Sequence, residues 1–156
     1  MFKEMRRKDR MLSVEEAKDI LKNCEYGVLS SISDNGYPYG VPVSYVYFND
    51  AIYFHSAKTG HKIENIKNND KVSFNAVGNT EILPGEFTTN YESVIVFGTA
   101  TEALDDEKYA ALMELINKYD PDSNITDKGK KYITALTGQT YVVKITVDHI
   151  TGKSRR

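Results

Sequence analysis

The sequence has few of the features that mark secreted, membrane or nucleic-acid-binding proteins. Its only cysteine is Cys24, and a single thiol cannot form an internal disulfide, so we expect a cytoplasmic protein. No apolar run approaches the roughly 20 residues of a membrane span, and no signal peptide follows the charged start of the chain. The formal net charge is only -2, which argues against nucleic acid as a partner. We therefore expect neither a membrane nor a nucleic-acid partner.

What the chain does contain fits one globular domain. It has 156 residues, of which 40% are hydrophobic and 27% charged, and a chain of this length can bury a sizeable core without disulfides or metals. We expect a single domain over residues 1–156, with a polar N-terminal arm over 1–12. There are 11 tyrosines, and a cluster of them lies in one short stretch: Tyr37, Tyr39, Tyr45, Tyr47 and Tyr53.

Hydrophobic patterns predict a mainly β protein with peripheral helices. Ser13 and Glu16 form a capping-box pattern at the start of a short helix that ends near Asn23, and Asp34-Asn35-Gly36 favours a tight hairpin turn. Asp105 is the expected cap of a long helix, and Gly98 an expected bulge. Strands are predicted over 26–33, 37–48, 51–56, 71–78, 92–102 and 140–147, helices over 61–68, 105–119 and 126–136, and an irregular segment over 79–91.

About six strands with short connections favour an antiparallel barrel, because closure removes exposed edges. Pro38 and Pro42 lie in the strand predicted over 37–48. Proline cannot donate to a β-ladder, so this strand is expected at an edge, at a bulge, or where its backbone faces something other than a neighbouring strand.

A candidate anion site lies where a strand ends and the helix over 61–68 begins. A helix start has unsatisfied backbone N–H groups and a favourable dipole, and here Lys58, His61 and Lys62 stand beside it. A phosphate would fit such a site. The alternative interpretation is an ordinary polar turn with solvated lysines.

The histidines and the cysteine carry little other recognisable chemistry. His55, His61 and His149 are too scattered for a zinc site, so we expect no metal. Cys24 has no cationic neighbour in sequence and is expected in the core. His55, at a strand end beside the anion site, can donate to a phosphate or move protons near neutral pH; the alternative is a half-buried structural histidine.

Four ordered segments resemble a known family: Met1 to Lys8, Gly36 to Tyr45, Ile52 to Lys62, and Glu92 to Gly98. Their order is similar to that in 5-nitroimidazole-resistance proteins of the pyridoxamine 5′-phosphate oxidase-like, FMN-binding split-barrel superfamily. The resemblance implies a six-stranded antiparallel split β-barrel and a homodimer with FMN in two clefts at the interface. It also implies an FMN-dependent oxidoreductase that acts on small molecules such as nitroaromatic compounds. The arginine-rich C-terminal motif of true pyridoxamine phosphate oxidases is absent, so vitamin B6 chemistry is not implied.

The same resemblance assigns roles to individual residues. It implies that one strand offers backbone groups to the flavin, that residues around the helix start hold the ribityl phosphate, and that His55 acts in reduction. Partner-subunit contacts across the cleft are expected from the segment before the fifth strand. The implied residues are Val41, Pro42, Val43 and Ser44 along the flavin; His55, Ser56, His61 and Lys62 at the phosphate; and Thr88, Thr89 and Tyr91 as partner contacts.

Two other functions stay open on the sequence. The first is a non-enzymatic barrel that holds a flavin or a haem, for which His61 or His149 could be an axial ligand; FAD and haem are the cofactors to weigh against FMN. The second is a small barrel that stacks single-stranded nucleic acid on its tyrosines, which the balanced charge disfavours. We expect the tyrosine cluster to flank a flavin cleft and a dimer face.

Overall fold

The computed structural model of the protein describes residues 1–122 and 127–156, with only the backbone of 127 and 128. The predicted start of the helix over 126–136, at residue 126, therefore lies outside the described residues. The strands are β1 (Met11–Leu12), β2 (Gly27–Ile32), β3 (Pro38–Val43), β4 (Val46–Phe48), β5 (Ala51–Ala57), β6 (Lys71–Leu83), β7 (Thr88–Glu102) and β8 (Thr140–Arg155). The helices are α1 (Val14–Asn23), α2 (His61–Asn68), α3 (Asp105–Tyr119) and α4 (Asp127–Thr137).

All the strands belong to one antiparallel sheet with the order β3-β2-β6-β7-β8-β5-β4, and β1 pairs with the far end of β8. The edge strands β3 and β4 are consecutive in the chain, separated only by Ser44 and Tyr45. Three Cα–Cα steps cover at most about 11 Å. The sheet must therefore curl until its two edges nearly meet, although the described residues show no ladder between β3 and β4.

The mainly β prediction is confirmed, but the structure has eight strands where the sequence predicted about six. One additional strand, β1, comes from the N-terminal arm, which was predicted only as a polar segment. The other arises because the strand predicted over 37–48 divides at Ser44–Tyr45. The chain leaves one edge of the sheet there and enters the other, which no local pattern in the sequence indicates.

The segment predicted as irregular, 79–91, is instead the end of a long hairpin. β6 continues to Leu83, β7 begins at Thr88, and a single 3₁₀ turn over Pro84–Glu86 joins them. Phe87 completes the turn with a left-handed φ of 51°. The prediction was wrong because Pro84 and Gly85 interrupt the strand pattern only at the tip of the hairpin, and the residues on either side of them continue β6 and β7. The predicted bulge at Gly98 is confirmed by a shift in the β7–β8 register.

Of the two helix caps predicted from the sequence, one is confirmed and one is wrong. Ser13 and Glu16 form the predicted capping box of α1. The predicted cap at Asp105 is wrong, since Leu104 is the N-cap residue of α3 and makes no side-chain cap. The carboxylates in the first turn of α3 still favour this helix start through the helix dipole.

The core has two parts that share β5. Ile52 and Phe54 pack in the main cluster inside the curled sheet, together with α1 and α2. Ala51 and Tyr53 pack in a second cluster, under α3 and α4. Since side chains alternate along a strand, the next two residues of β5, His55 and Ser56, also face opposite sides.

Candidate functional site

The start of α2 is the centre of the candidate site. Gly60 is the N-cap residue, with a left-handed φ of 128° that favours glycine, and it supplies no side-chain cap. The backbone N–H groups of Ile63 and Glu64 bond to the Gly60 carbonyl. The backbone N–H groups of His61 and Lys62 have no backbone partner among the described contacts. This helix start therefore has donors and a positive dipole end available for an anion.

His61 is held against the β2–β3 hairpin by polar and aromatic contacts. Its Nε2 lies 2.9 Å from the hydroxyl of Ser33, and its ring lies against Tyr39 with centroids 4.0 Å apart. Asn65, one turn further along α2, donates from Nδ2 to Ser31 at 3.0 Å and to Ser33 at 3.4 Å. The structure thus joins His61 to a buried polar network that the sequence analysis did not identify. The sequence did hold a signal for this network: Ser31 and Ser33 are two residues apart, so both lie on the same, buried face at the end of a strand.

Ser56 tests whether the site suits a phosphate group. The residue is 8% exposed, and its hydroxyl is the one buried side-chain polar atom without a hydrogen-bond partner among the described residues. A buried hydroxyl without a partner costs free energy. It stands just before the turn that leads to Gly60, so a phosphate oxygen at the helix start could complete its hydrogen bonding. The donors of this region therefore fit an anionic group.

His55 lies on the other side of β5, in a cavity of about 570 Å³ that also includes Ser44. The opposite wall comes from α3 and α4, through apolar residues such as Leu112, Ile116 and Ile133. Burial, and then the charge of Lys62, lower the pKa of His55. In its neutral form the imidazole can donate from one nitrogen and accept at the other. Cavities of this kind, apolar with a few polar groups, are typical of small-molecule sites.

The strand expected along the flavin is β3, an edge of the sheet. Val41, Pro42 and Val43 pair with β2 on one side, and the described residues show no strand on the other. Pro42 is exposed, while Val41 and Val43 pack on the core. The prediction of an edge position for the prolines is confirmed.

The loop that joins this strand to β4 is held by hydrogen bonds from α3. The sequence did not predict these bonds. Lys118 donates from Nζ to the carbonyls of Cys24, at 2.6 Å, and Tyr45, at 2.9 Å. Tyr119 accepts from the N–H of Tyr45 at 3.0 Å and donates to the carbonyl of Glu25. Burial lowers the pKa of Lys118 to about 8. These bonds hold the crossing next to Ser44 against α3.

The remaining predicted residues, Thr88, Thr89 and Tyr91, are not near this site within one chain. They lie at the start of β7. Glu102, at the other end of β7, pairs with Val143 of β8, and Val143 pairs with Phe54, the neighbour of His55. A strand of 15 residues spans about 45 Å. One chain therefore does not bring these residues together with His55 and α2, and their role as partner contacts remains a prediction.

The tyrosine cluster divides between core and surface. Tyr45, Tyr47 and Tyr53 are buried, and Tyr45 packs edge-on against Phe74 with centroids 4.7 Å apart. Tyr37 is 73% exposed, and Tyr39 contacts the candidate site through the ring of His61. The expectation that the whole cluster flanks a cleft is therefore wrong for the three buried tyrosines. The strand that was to carry Tyr45 and Tyr47 breaks before Tyr45, and Tyr53 lies on β5, where it packs in the second cluster under α3 and α4.

The described residues show no cluster of three metal-ligating side chains. Within the described part of the chain, no helix is long and apolar enough to cross a membrane.

Comparisons with known proteins agree with this architecture. A family model for pyridoxamine 5′-phosphate oxidase matches residues 13–154. No curated protein sequence matches the chain.

Many solved structures are similar to this chain, among them the following three. A candidate 5-nitroimidazole antibiotic resistance protein from Bacteroides thetaiotaomicron has a TM-score of 0.77 and 24% identity, over 92% of this chain and 86% of that one. An FAD-binding protein from Mesorhizobium loti has a TM-score of 0.63 and 26% identity, over 94% and 98%. An FAD- and haem-binding protein from Mycobacterium smegmatis has a TM-score of 0.75 and 17% identity, over 92% and 72%.

Proposed function

The chain belongs to the pyridoxamine 5′-phosphate oxidase family, and on this basis we propose that it is an FMN-dependent oxidoreductase that acts on small molecules. The observation that carries the proposal is the phosphate-type donor set at the start of α2. The unpartnered buried hydroxyl of Ser56, the Lys62 ammonium and the free helix start all suit an anion. The FAD bound by the Mesorhizobium loti protein supports a flavin in particular.

The chain's own residues would bind and orient the cofactor. Lys62, with His61 and Ser56, would hold the phosphate, and the free edge of β3 would offer backbone groups to the ring system. A bound flavin supplies electron transfer between a donor and an acceptor. His55 would contact the acceptor in the apolar cavity, where a neutral imidazole can donate a hydrogen bond or deliver a proton.

The substrate class follows from this cavity. Its apolar walls favour a neutral, planar molecule, and His55 and Ser44 offer hydrogen bonds to a polar substituent. We propose nitroaromatic compounds, and the similarity to the Bacteroides thetaiotaomicron protein is consistent with that choice. The free buried thiol of Cys24 suits the cytoplasm that we propose as its location.

We also propose a homodimer with the cofactor at its interface. Thr88, Thr89 and Tyr91 lie at the opposite end of the sheet from His55, so only a second copy could bring them to the site. Apolar side chains near them are exposed, Ile82 at 75% and Phe87 at 97%. Burial of such side chains between two chains would be favourable.

The absorption spectrum of the purified protein tests the cofactor. We expect flavin absorbance, either at once or after addition of FMN, and bleaching with a nicotinamide donor followed by recovery when a nitroaromatic acceptor is added. A protein that is colourless and takes up no FMN would refute the proposal. FMN that binds but is never reduced would favour the non-enzymatic alternative.

The haem alternative has one specific point in its favour, the FAD- and haem-binding protein from Mycobacterium smegmatis. Of its candidate ligands, His149 is stacked on Phe2 with centroids 4.7 Å apart, and His61 is bonded to Ser33. The stack engages the ring face of His149 and not its nitrogens, whereas Nε2 of His61 would have to leave Ser33 to bind iron. A Soret band in place of flavin absorbance would select haem.

Two substitutions test the residue roles. Lys62→Ala should weaken FMN binding by about 10- to 150-fold, since a charge-assisted bond is worth about 1.5–3 kcal/mol. Lys67→Ala, which removes an exposed lysine from the last turn of the same helix, is the matched control and should have little effect. Equal dissociation constants for the two variants would place the phosphate elsewhere.

His55→Ala should lower turnover more than flavin affinity, because His55 lies in the cavity and not at the helix start. Steady-state kinetics and FMN titration of the same preparation give the two values. A loss confined to flavin affinity would make His55 a cofactor ligand only.

A further inference from the structure

The hydrogen bonds around His61 favour one of the two tautomers of its neutral ring. A serine hydroxyl has one donor and two acceptor positions, and an asparagine Nδ2 only donates. Asn65 donates to the hydroxyl of Ser33 at 3.4 Å, which uses one acceptor position. A second acceptor position of Ser33 stays open, but the hydroxyl proton also needs an acceptor, and Nε2 of His61, 2.9 Å away, is the one described contact of this hydroxyl that can accept it. A nitrogen that accepts a hydrogen bond carries no proton, so the neutral ring holds its proton on Nδ1.

The surroundings keep this arrangement in place. The backbone N–H of Ser33 donates to Tyr37 at 2.9 Å, and its carbonyl accepts from Gly36 at 2.8 Å, so the hairpin turn fixes the serine. Asn65 is 3% exposed and lies on the inward face of α2. Tyr39 covers one face of the imidazole, with the two rings inclined by 33°. The ring can therefore rotate little without loss of its contacts.

We infer that Ser33 and Asn65 are positioning residues that hold His61 as the Nδ1–H tautomer, so that a neutral imidazole offers an N–H donor to a phosphate group at the start of α2. The ligand class rests on the proposed function. Every group that the proposed function assigns to the phosphate is then a donor: the Nδ1–H of His61, the ammonium of Lys62, the Ser56 hydroxyl and the first N–H groups of the helix. Such a set suits an oxyanion without a proton and favours phosphorylated over unphosphorylated flavin.

Nitrogen-15 NMR of the histidine side chains in the wild-type protein tests the tautomer directly. The chain has three histidines, so His61→Asn assigns the signal. We expect a protonated Nδ1 and an unprotonated Nε2 in the neutral ring. Ser33→Ala should convert this pattern to a mixture, whereas Ser33→Thr, which keeps the hydroxyl, should retain it. A protonated Nε2 in the wild-type protein would overturn the inference and would mean that the Asn65 amide is reversed.

Binding of FMN and riboflavin tests the consequence. Ser33→Ala should weaken FMN by about tenfold and leave riboflavin unchanged, because only FMN carries the phosphate. Ser31→Ala is the matched control, since this serine also accepts from Asn65 but does not contact His61; its ratio of FMN to riboflavin affinity should stay at the wild-type value. Equal losses for both flavins in Ser33→Ala would overturn the positioning role.

Failure of the proposed function can be distinguished from failure of this inference. If the wild-type protein binds neither FMN nor riboflavin, the flavin proposal fails. Addition of inorganic phosphate then decides the inference: a shift of the His61 Nδ1–H signal, lost in Ser33→Ala, supports it, and no shift overturns it.

Discussion

Ser56→Ala should have opposite effects on stability and on cofactor binding. The hydroxyl of Ser56 is buried without a partner among the described residues. An unsatisfied buried hydroxyl costs about 1–3 kcal/mol. Its removal leaves a void of roughly 10–15 Å³, which costs only about 0.3 kcal/mol. The variant without cofactor should therefore be more stable than the wild-type protein by about 0.7–2.7 kcal/mol.

The same substitution should weaken FMN binding. If the hydroxyl donates to the phosphate, its loss removes a hydrogen bond to a charged group, worth about 1.5–3 kcal/mol, or roughly 10- to 150-fold in the dissociation constant. Urea unfolding of the protein without cofactor gives the first value, and FMN titration gives the second. Higher stability together with weaker FMN binding would mean that Ser56 is retained for ligand binding although it destabilises the protein.

The control is Ser31→Ala, also a buried serine but one with a partner. Ser31 accepts from Asn65 at 3.0 Å, so its loss leaves a buried amide donor unpaired and should destabilise the protein by about 1–3 kcal/mol. If Ser56→Ala is as destabilising as Ser31→Ala, the hydroxyl has a partner and the argument fails. Unchanged FMN affinity would refute its role at the phosphate.

Two other perturbations test how the fold is held around the site. Burial lowers the pKa of Lys118 from its ordinary 10.5 to about 8, so between these values the unfolded chain binds the proton and the folded chain does not. The unfolding free energy, measured against Lys118→Met, should therefore rise from about pH 8 to 10.5. Gly98→Ala should destabilise the protein by about 1–3 kcal/mol or more in urea unfolding, because its Cβ would lie 2.5 Å from the carbonyl oxygen of Thr146.

Each of these two predictions has a clear contrary result. A flat difference between the wild-type protein and Lys118→Met across this pH window would mean that the ammonium is solvated. For the glycine, Gly85→Ala is the control, since no atom lies within 4 Å of its Cβ. Equal stabilities of the two alanine variants would mean that the β7–β8 bulge adjusts freely.

Local sequence signals predicted those parts of the fold that depend on neighbouring residues. The capping box at Ser13 and the turn at Gly36 are interactions within a few residues, and the structure contains both. The helix start at Gly60 was predicted for the same reason. The lengths of β6 and β7 were underestimated. These two strands pair with each other up to the hairpin tip, through residues whose own preference for β structure is weak.

The candidate site was predictable only in part. His55, Ser56, His61 and Lys62 are close in sequence, so one strand-to-helix turn necessarily groups them. That His55 faces the α3–α4 cavity while Ser56 faces the main core follows from β alternation, but which side contains the cavity depends on helices much later in the chain. The contacts between Ser33 and His61 and between Lys118 and Tyr45 join residues with no shared local pattern.

The sequence by itself determined the mainly β class, the family resemblance and the strand-to-helix turn at Gly60, because these depend on composition, periodicity and short motifs. Only the tertiary structure decided that the chain crosses between the two sheet edges at Ser44–Tyr45, that three of the clustered tyrosines are buried, and that Thr88, Thr89 and Tyr91 lie far from the site in one chain. These features arise from pairing and packing between segments distant in sequence, whose energies no local window contains.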